Sequence, residues 1–374
     1  MGEPGTGASV LVVFVSMFAA GPEGGVRAFF LDPLSGTLTP SAGRWECPNA
    51  FFLALSEDQR RVYALTAVTF GDASTEEVIA WRIVGRDGVL EPLGRTAAAG
   101  AATCFITAAP GGRALLLAHY TGGTVATLPL SADGGFAGPP ITAPLPCGGS
   151  GVVTGRQDAS HPHAIALAPA AAGTPRFVYA ADLGGDAICC YRLEPAVDRL
   201  TSADQPVTET AAGAGPRHLV FHPDGRRLYV INELDSTVGV YDFDAASGQL
   251  TERQTISTLP KDFVGTNYAA DVGITPCGGF LYGTNRGHDS LAAYAITADG
   301  RLTLVEIVTS RGRGPQSIAI TPDGGLLLCA NMPGDSLAIF RIDRDTGRLT
   351  AVGEPAPVTA PSSIAITNLA NRPS

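Results

Sequence analysis

The sequence is poor in charge: Asp, Glu, Lys and Arg make up 16% of its 374 residues, against 45% hydrophobic. Such a chain buries a large core and is not disordered. It also lacks a basic excess. The net charge of −10 and pI near 5.0 argue against non-specific binding to nucleic acid or to an anionic membrane. No apolar run is long enough to span a bilayer. "SVLVVFVSMFAA" near the start is short, follows Glu3 with no basic residue before it, and reads as a β-strand rather than a signal segment. "MGEPGT" matches a lipidation pattern only loosely. The cysteines at 47, 104, 147, 189, 190, 277 and 329 form no C-x-x-C and no metal-ligand spacing. Their number is odd, and "AICCYRL" and "LLLCAN" place several in apolar strands, so they read as reduced core residues of a cytoplasmic protein. There is no nucleophile motif, no phosphate-cradling glycine loop and no dinucleotide fingerprint. No cofactor and no metal is implied.

What is abundant is glycine and proline, 46 and 28 residues, which fits a chain of many turns and little helix. The turns recur. "GPRHLVFHPDGRRLYVINE", "NYAADVGITPCGGFLYGTNR" and "GPQSIAITPDGGLLLCANM" are copies of one unit, with weaker copies in "NAFFLALSEDQRRVYALTA", "ATCFITAAPGGRALLLAHY" and "HPHAIALAPAAAGTPRFVYAADL". Their turns fall at Glu57, Pro110, Pro169, Pro223, Pro276 and Pro322, a period of roughly 53 residues. Each copy is followed by a "TVGVY"-type strand and then by a "GxL" segment. The unit therefore has four short strands, A to D, the signature of a β-propeller blade.

The termini predict closure. "PSSIAIT" at the C-terminus is a strand A without successors, and the N-terminus supplies B, C and D without an A. The expectation is one all-β domain over 1–374: a seven-bladed propeller of four-stranded antiparallel blades. Its seventh blade is shared by residues 9–40 and 361–370, and the N-terminal strands pair with the C-terminal inner strand. Residues 142–160 form an insertion without strand pattern, which reads as a functional loop rather than a domain boundary.

In such a blade the start of A and the end of B meet on one face beside the central channel. Read around the ring, the residues after B are Met17, Ala67, Tyr120, Leu183, Glu233, Arg286 and Met332. Those before A are Phe51, Cys104, His163, Arg217, Ala270, Gln316 and Ser362. Four ionisable groups other than cysteine and tyrosine occur among them, all in three consecutive blades: His163, Arg217, Glu233 and Arg286. His161, His218 and His288 flank the same positions. Two arginines at a concave mouth suit a carboxylate or phosphate; a histidine and a glutamate beside them can move protons. The bland reading of any one of these residues is an ion pair or a capped loop, but their clustering on one side points to a site. Lys261 and Asn267, in the loop before the fifth inner strand, and Gln316, at the Arg217-equivalent position, are further candidates for substrate binding. His161, His163 and Glu233 as metal ligands are disfavoured by the arginines. Asp182, Asn232, Asn285 and Asn331 recur at one blade position and read as side chains that hold a turn. His222 lies at the opposite turn face and reads as structural.

"HPHAIALAP", "GPRHLVFHPDGRRLYVINEL", "FLYGTNRGHDSLAAYAI" and "GPQSIAITPDGGLLLCAN" resemble the seven-bladed lactonase family, which includes propeller-type 6-phosphogluconolactonases and carboxymuconate cyclases. The resemblance implies catalytic roles for His163, Arg217, Glu233 and Arg286. It departs from the family at Phe105, at Asp271-Val272-Gly273 and in "VFVSMF". The resulting expectation is lactone hydrolysis or lactone-forming cyclisation of a small anionic substrate. His163 and Glu233 would act as acid and base, and Arg217 and Arg286 would bind the anion. The rival readings are a biosynthetic cyclase or isomerase for a less polar substrate, motivated by Met17, Phe51, Phe105, Leu183 and Met332, and a non-catalytic propeller that binds protein partners. The expected assembly is a monomer or weak homodimer.

Overall fold

A computed structural model describes residues 10–169, 176–194 and 199–369. The lipidation-like start and the outermost bounds of the shared blade, residues 9 and 370, lie outside these. The described chain forms seven antiparallel sheets and one short 3-10 turn, Gly21–Glu23. Six sheets have four strands. In blade six the outer strand is split into Leu349–Ala351 and Ala356–Pro357, both paired with Ser336–Ile342.

The ring closes as the sequence predicts. Leu11–Met17 pairs antiparallel with Pro361–Asn368 on one side and with Gly25–Leu31 on the other. Closure buries both faces of the shared blade, one against blade one and the other against blade six.

The blades are apolar sheets stacked face to face, and each interface has its own core. Between blades three and four, for example, Phe177, Tyr179 and Ile188 pack against Phe221, Leu228 and Tyr241. A repeated clasp supplements this burial. The second-strand tyrosine of one blade donates its hydroxyl to a glycine carbonyl in the C–D turn of the next. The pairs are Tyr63 to Gly134, Tyr179 to Gly248, Tyr229 to Gly300 and Tyr282 to Gly347, at 2.5–3.0 Å. Each of these buried phenols thereby keeps a partner, as a buried polar group requires. The glycines all have φ between +72° and +87°, a conformation costly for any residue with a Cβ.

One irregularity shapes the channel mouth. In six blades the register between inner and second strand slips at the first residues of the inner strand, passing over Cys104, His163, Arg217, Ala270-Asp271, Gln316 and Ser362. Such bulges re-aim a side chain out of the ladder. His163 and Arg217 are thereby released from regular strand alternation, as are the uncharged Cys104, Gln316 and Ser362.

Candidate active site

Arg217 leaves the innermost strand of blade four, Pro216–Phe221, at its bulge. Glu233 follows the second strand, Arg227–Asn232. Although 16 residues apart, they meet: Arg217 Nε lies 2.8 Å from Glu233 Oε2. Arg286, at the end of Phe280–Arg286 in blade five, brings Nη2 to 2.7 Å from the same oxygen. The second carboxylate oxygen accepts from Arg156 Nη2 at 2.5 Å. One buried carboxylate thus gathers three guanidiniums. Arg217 Nη1 also donates to the Ala270 carbonyl at 2.7 Å, and Arg286 Nη1 to Gln316 Oε1 at 3.2 Å.

The electrostatics follow. Burial pushes the Glu233 carboxyl up, but Arg286, Arg217 and Arg156 together outweigh it and hold its pKa at about 2. Arg217 falls to about 10: burial and the neighbouring Arg286 cost its charge more than Glu233 returns. It stays a cation at neutral pH. Two of the three positive charges are unmatched by Glu233. Arg217 is buried, whereas the Arg156 and Arg286 side chains are 32% and 25% exposed. The two outer guanidiniums face solvent with charge to spare.

Behind them sit two buried histidines with ring centroids 5.4 Å apart, His163 and His218. His163 Nδ1 lies 3.9 Å from Cys104 Sγ, and its ring meets Tyr120 edge-on at 5.6 Å. Burial, then Arg217, His218 and Arg286, push its pKa well below the usual imidazole range. His218 is held at Nδ1 by Asp271 Oδ1 at 2.8 Å, and Asp271 Oδ2 accepts the Ile318 amide at 2.8 Å. Burial and Arg217 lower His218 despite Asp271. Both histidines are therefore neutral near pH 7, and Asp271 fixes the tautomer of His218. Below His218 the channel opens into a cavity of about 280 Å³, lined among others by Phe52, Phe105, Asp271 and Ser317.

The structure brings together His163, Arg217, Glu233, Arg286, His218 and Gln316. His161 borders them: its ring stacks on Tyr120 at 4.5 Å and its Nδ1 faces the Tyr120 carbonyl at 2.9 Å. Three candidates stand elsewhere. Asn267 is buried and fully engaged as a blade-to-blade tie, donating to Ser236 and Asn285 and accepting from the His288 amide. His288 is turned to Ser290 Oγ at 2.7 Å and Phe263. Lys261, the only lysine of the chain, is exposed. Of these three expected substrate-binding residues, Asn267 and His288 spend their polar groups on the scaffold, and no contact described joins any of the three to Glu233. Among the turn-holding residues, Asn285 and Asn331 bond across their own turns as expected. His222 bonds the Gly278 carbonyl at the far face. All seven cysteines are free, but Cys277 is exposed and Cys147 only half-buried, so those two are not core residues.

Arg156 was not among the sequence candidates. It lies in the 142–160 insertion, where it is the sole basic residue, which is the signal that could have found it. Gln157 anchors the loop, donating to the Leu183 carbonyl and Asp186 at 2.9 and 2.6 Å. Arg156 also lies over the Tyr268 ring, 5.5 Å from its centroid. The Asp271–His218 pair was missed too, because Asp271 belongs to the bulge of a different blade.

A family model described as "Lactonase, 7-bladed beta-propeller" matches residues 12–366. The chain belongs to this lactonase family. It is 28% identical over 354 residues to the 6-phosphogluconolactonase of Bacillus subtilis, covering 94% of this chain and 97% of that protein. It is 40% identical over 189 residues to the 6-phosphogluconolactonase of Pectobacterium carotovorum, about half of each chain. The periplasmic gluconolactonase of Pseudomonas aeruginosa superposes with a TM-score of 0.87 at 27% identity, over 96% of this chain and 99% of that one. No helix among the described residues is long and apolar enough to cross a membrane.

Proposed function

We propose that this lactonase-family enzyme hydrolyses a small lactone bearing an anionic group, of the phosphorylated or carboxylated sugar-lactone class. The observation that carries the reading is the single Glu233 carboxylate shared by three guanidiniums, two of them partly exposed at the channel mouth. In a protein of net charge −10, this positive sector is where an anion gains bidentate partners. The naming of relatives as 6-phosphogluconolactonases supports the same substrate class.

The chemistry follows from protonation. A neutral imidazole accepts a proton from water as that water attacks the lactone carbonyl. The resulting oxyanion is stabilised by guanidinium N–H groups, and the ring oxygen departs with a proton to give the hydroxy acid. His163 fits the base. Both Glu233 oxygens are taken by guanidiniums, so in this reading it holds the arginines in place. The reading gives it a positioning role in place of the acid/base role expected from sequence.

The cyclisation direction uses the same groups, and a less polar substrate is favoured by one feature: Phe18, Phe51 and Phe70 form an aromatic trio with centroids 5.1–5.4 Å apart. A partner-binding propeller has less support, because among the exposed large apolar residues described only Phe70 and Tyr268 are aromatic. The test is acid release from 6-phosphogluconolactone, followed at constant pH with wild type and His163→Asn. The reading expects turnover that falls by about 10²–10⁴-fold in the variant. Turnover of no anionic lactone, or an unaffected variant, overturns it.

A further inference from the structure

The loop that carries Arg156 also brings Cys147 onto blade three. Cys147 Sγ lies 3.1 Å from Asp182 Oδ2 and 3.3 Å from Cys189 Sγ. The donor atoms of all three residues lie within 4.8 Å of one another. Asp182 and Cys189 are fully buried and Cys147 is half-buried, so one side of the cluster reaches solvent.

The repeat provides an internal comparison. At the Asp182 position, blades four, five and six carry Asn232, Asn285 and Asn331, each cross-paired with the first residue of its third strand as Asp182 is with Ala187. Two residues further along that strand, Cys189 corresponds to Gly239, Ala292 and Ala338 by the same register. The segment after the preceding blade's outer strand brings the Thr258 hydroxyl to Asn285 and the Ser310 carbonyl to Asn331, where blade three is offered the Cys147 thiol. Blade three has therefore exchanged an amide for a carboxylate, a small apolar residue for a thiol, and the threonine or serine of the facing segment for a second thiol, all at one point. A turn-holding role asks for none of the three exchanges together.

We propose that Cys147, Asp182 and Cys189 bind one thiophilic divalent cation of the zinc class, with solvent completing a four-coordinate shell on the Cys147 side. Two thiolates and a carboxylate suit such an ion, whereas a hard cation demands an oxygen shell. Asp182 is already oriented for it: Oδ1 accepts the His161 and Gly185 amides, which leaves Oδ2 for the metal. Tetrahedral bonds of about 2.3 Å to sulfur and about 2.1 Å to oxygen place the donors about 3.6–3.8 Å apart. The cluster needs to open by about half an ångström to reach that spacing. A disulfide at about 2.05 Å requires the sulfurs to close by more than twice as much. On binding, each thiol gives its proton to solvent and each thiolate donates a lone pair to the ion; no oxidation occurs. Ser160 Oγ donates to the Cys147 carbonyl, so the ion pins both ends of the segment that holds Arg156 over Glu233. The proposal does not depend on the identity of the lactone.

The test titrates Co(II), then Zn(II), into reduced, chelator-treated full-length protein. The expected result is a thiolate-to-cobalt charge-transfer band that saturates at one equivalent and is displaced by zinc. Cys189→Ala and Asp182→Asn each install the residue that other blades carry, so both are expected to fold, as circular dichroism checks. The first abolishes the band; the second weakens binding by at least tenfold. Absence of a thiolate band in wild type, a band unchanged in folded Cys189→Ala, or a mass two units lower that returns with reductant, showing a Cys147–Cys189 disulfide, overturns the proposal.

Discussion

At the scale of single residues, Glu233 decides the site. Its two oxygens satisfy three guanidiniums from three separate segments. Removing its charge leaves Arg217 buried without a counter-ion, and breaking a buried pair on one side costs about 3–5 kcal/mol. Glu233→Gln is therefore expected to lower the unfolding midpoint in urea and to abolish turnover as the arginines separate. A stable, active Glu233→Gln would show that the cluster is not organised by this charge. Arg156 differs because its side chain is 32% exposed and belongs to a loop. Arg156→Ala is expected to raise KM for an anionic lactone by about tenfold with a smaller change in kcat, the pattern of lost binding rather than lost chemistry. Steady-state kinetics distinguish the two. The quartet His163, Arg217, Glu233 and Arg286 was legible in the sequence because the repeat aligns equivalent positions and exposes the odd ones. Arg156 and Asp271 were not, since neither occupies one of the aligned ring positions: one enters from an insertion, the other from the second residue of a bulge.

At the scale of strands and blades, the fold is a chain of similar interfaces tied by tyrosine clasps. The clasp residues are remote from the mouth, so they separate stability from activity. Tyr229 is buried and donates to the Gly300 carbonyl at 3.0 Å. Tyr229→Phe leaves that buried carbonyl without its donor and is expected to cost about 1 kcal/mol, read as a lower denaturant midpoint, with kcat/KM unchanged. A matching fall in activity would mean that the blade interface transmits strain to the site. The clasps explain a regularity visible in the sequence as a recurring tyrosine and glycine, but their pairing joins adjacent blades and cannot be seen within one repeat. The bulges were equally hidden. A one-residue slip leaves the apolar pattern of an inner strand nearly intact while redirecting His163, Arg217 and Gln316.

At the scale of the whole molecule, acid is the expected weakness. Burial lowers His119 to about 4 and also lowers His163 and His218. Groups with depressed pKa bind fewer protons folded than unfolded, so their stabilisation is full above about 6.5 and is lost on acidification, by up to about 1.4 kcal/mol per pH unit each. The denaturant midpoint is expected to fall between pH 7 and pH 5; a flat profile would contradict the burial of these imidazoles. The ring itself was readable from the period and from the unmatched strands at the two ends, because closure is a matter of counting blades. What the site accepts was less readable, since its charge is balanced between two blades and a loop. The central claim is that this balance selects an anion. Its most direct test compares kcat/KM for 6-phosphogluconolactone and for the uncharged gluconolactone, in wild type and in Arg286→Ala. The account predicts a preference of at least a hundredfold for the anionic lactone in wild type, reduced at least tenfold by the substitution. Equal turnover of the two lactones, or a preference indifferent to Arg286, would contradict it.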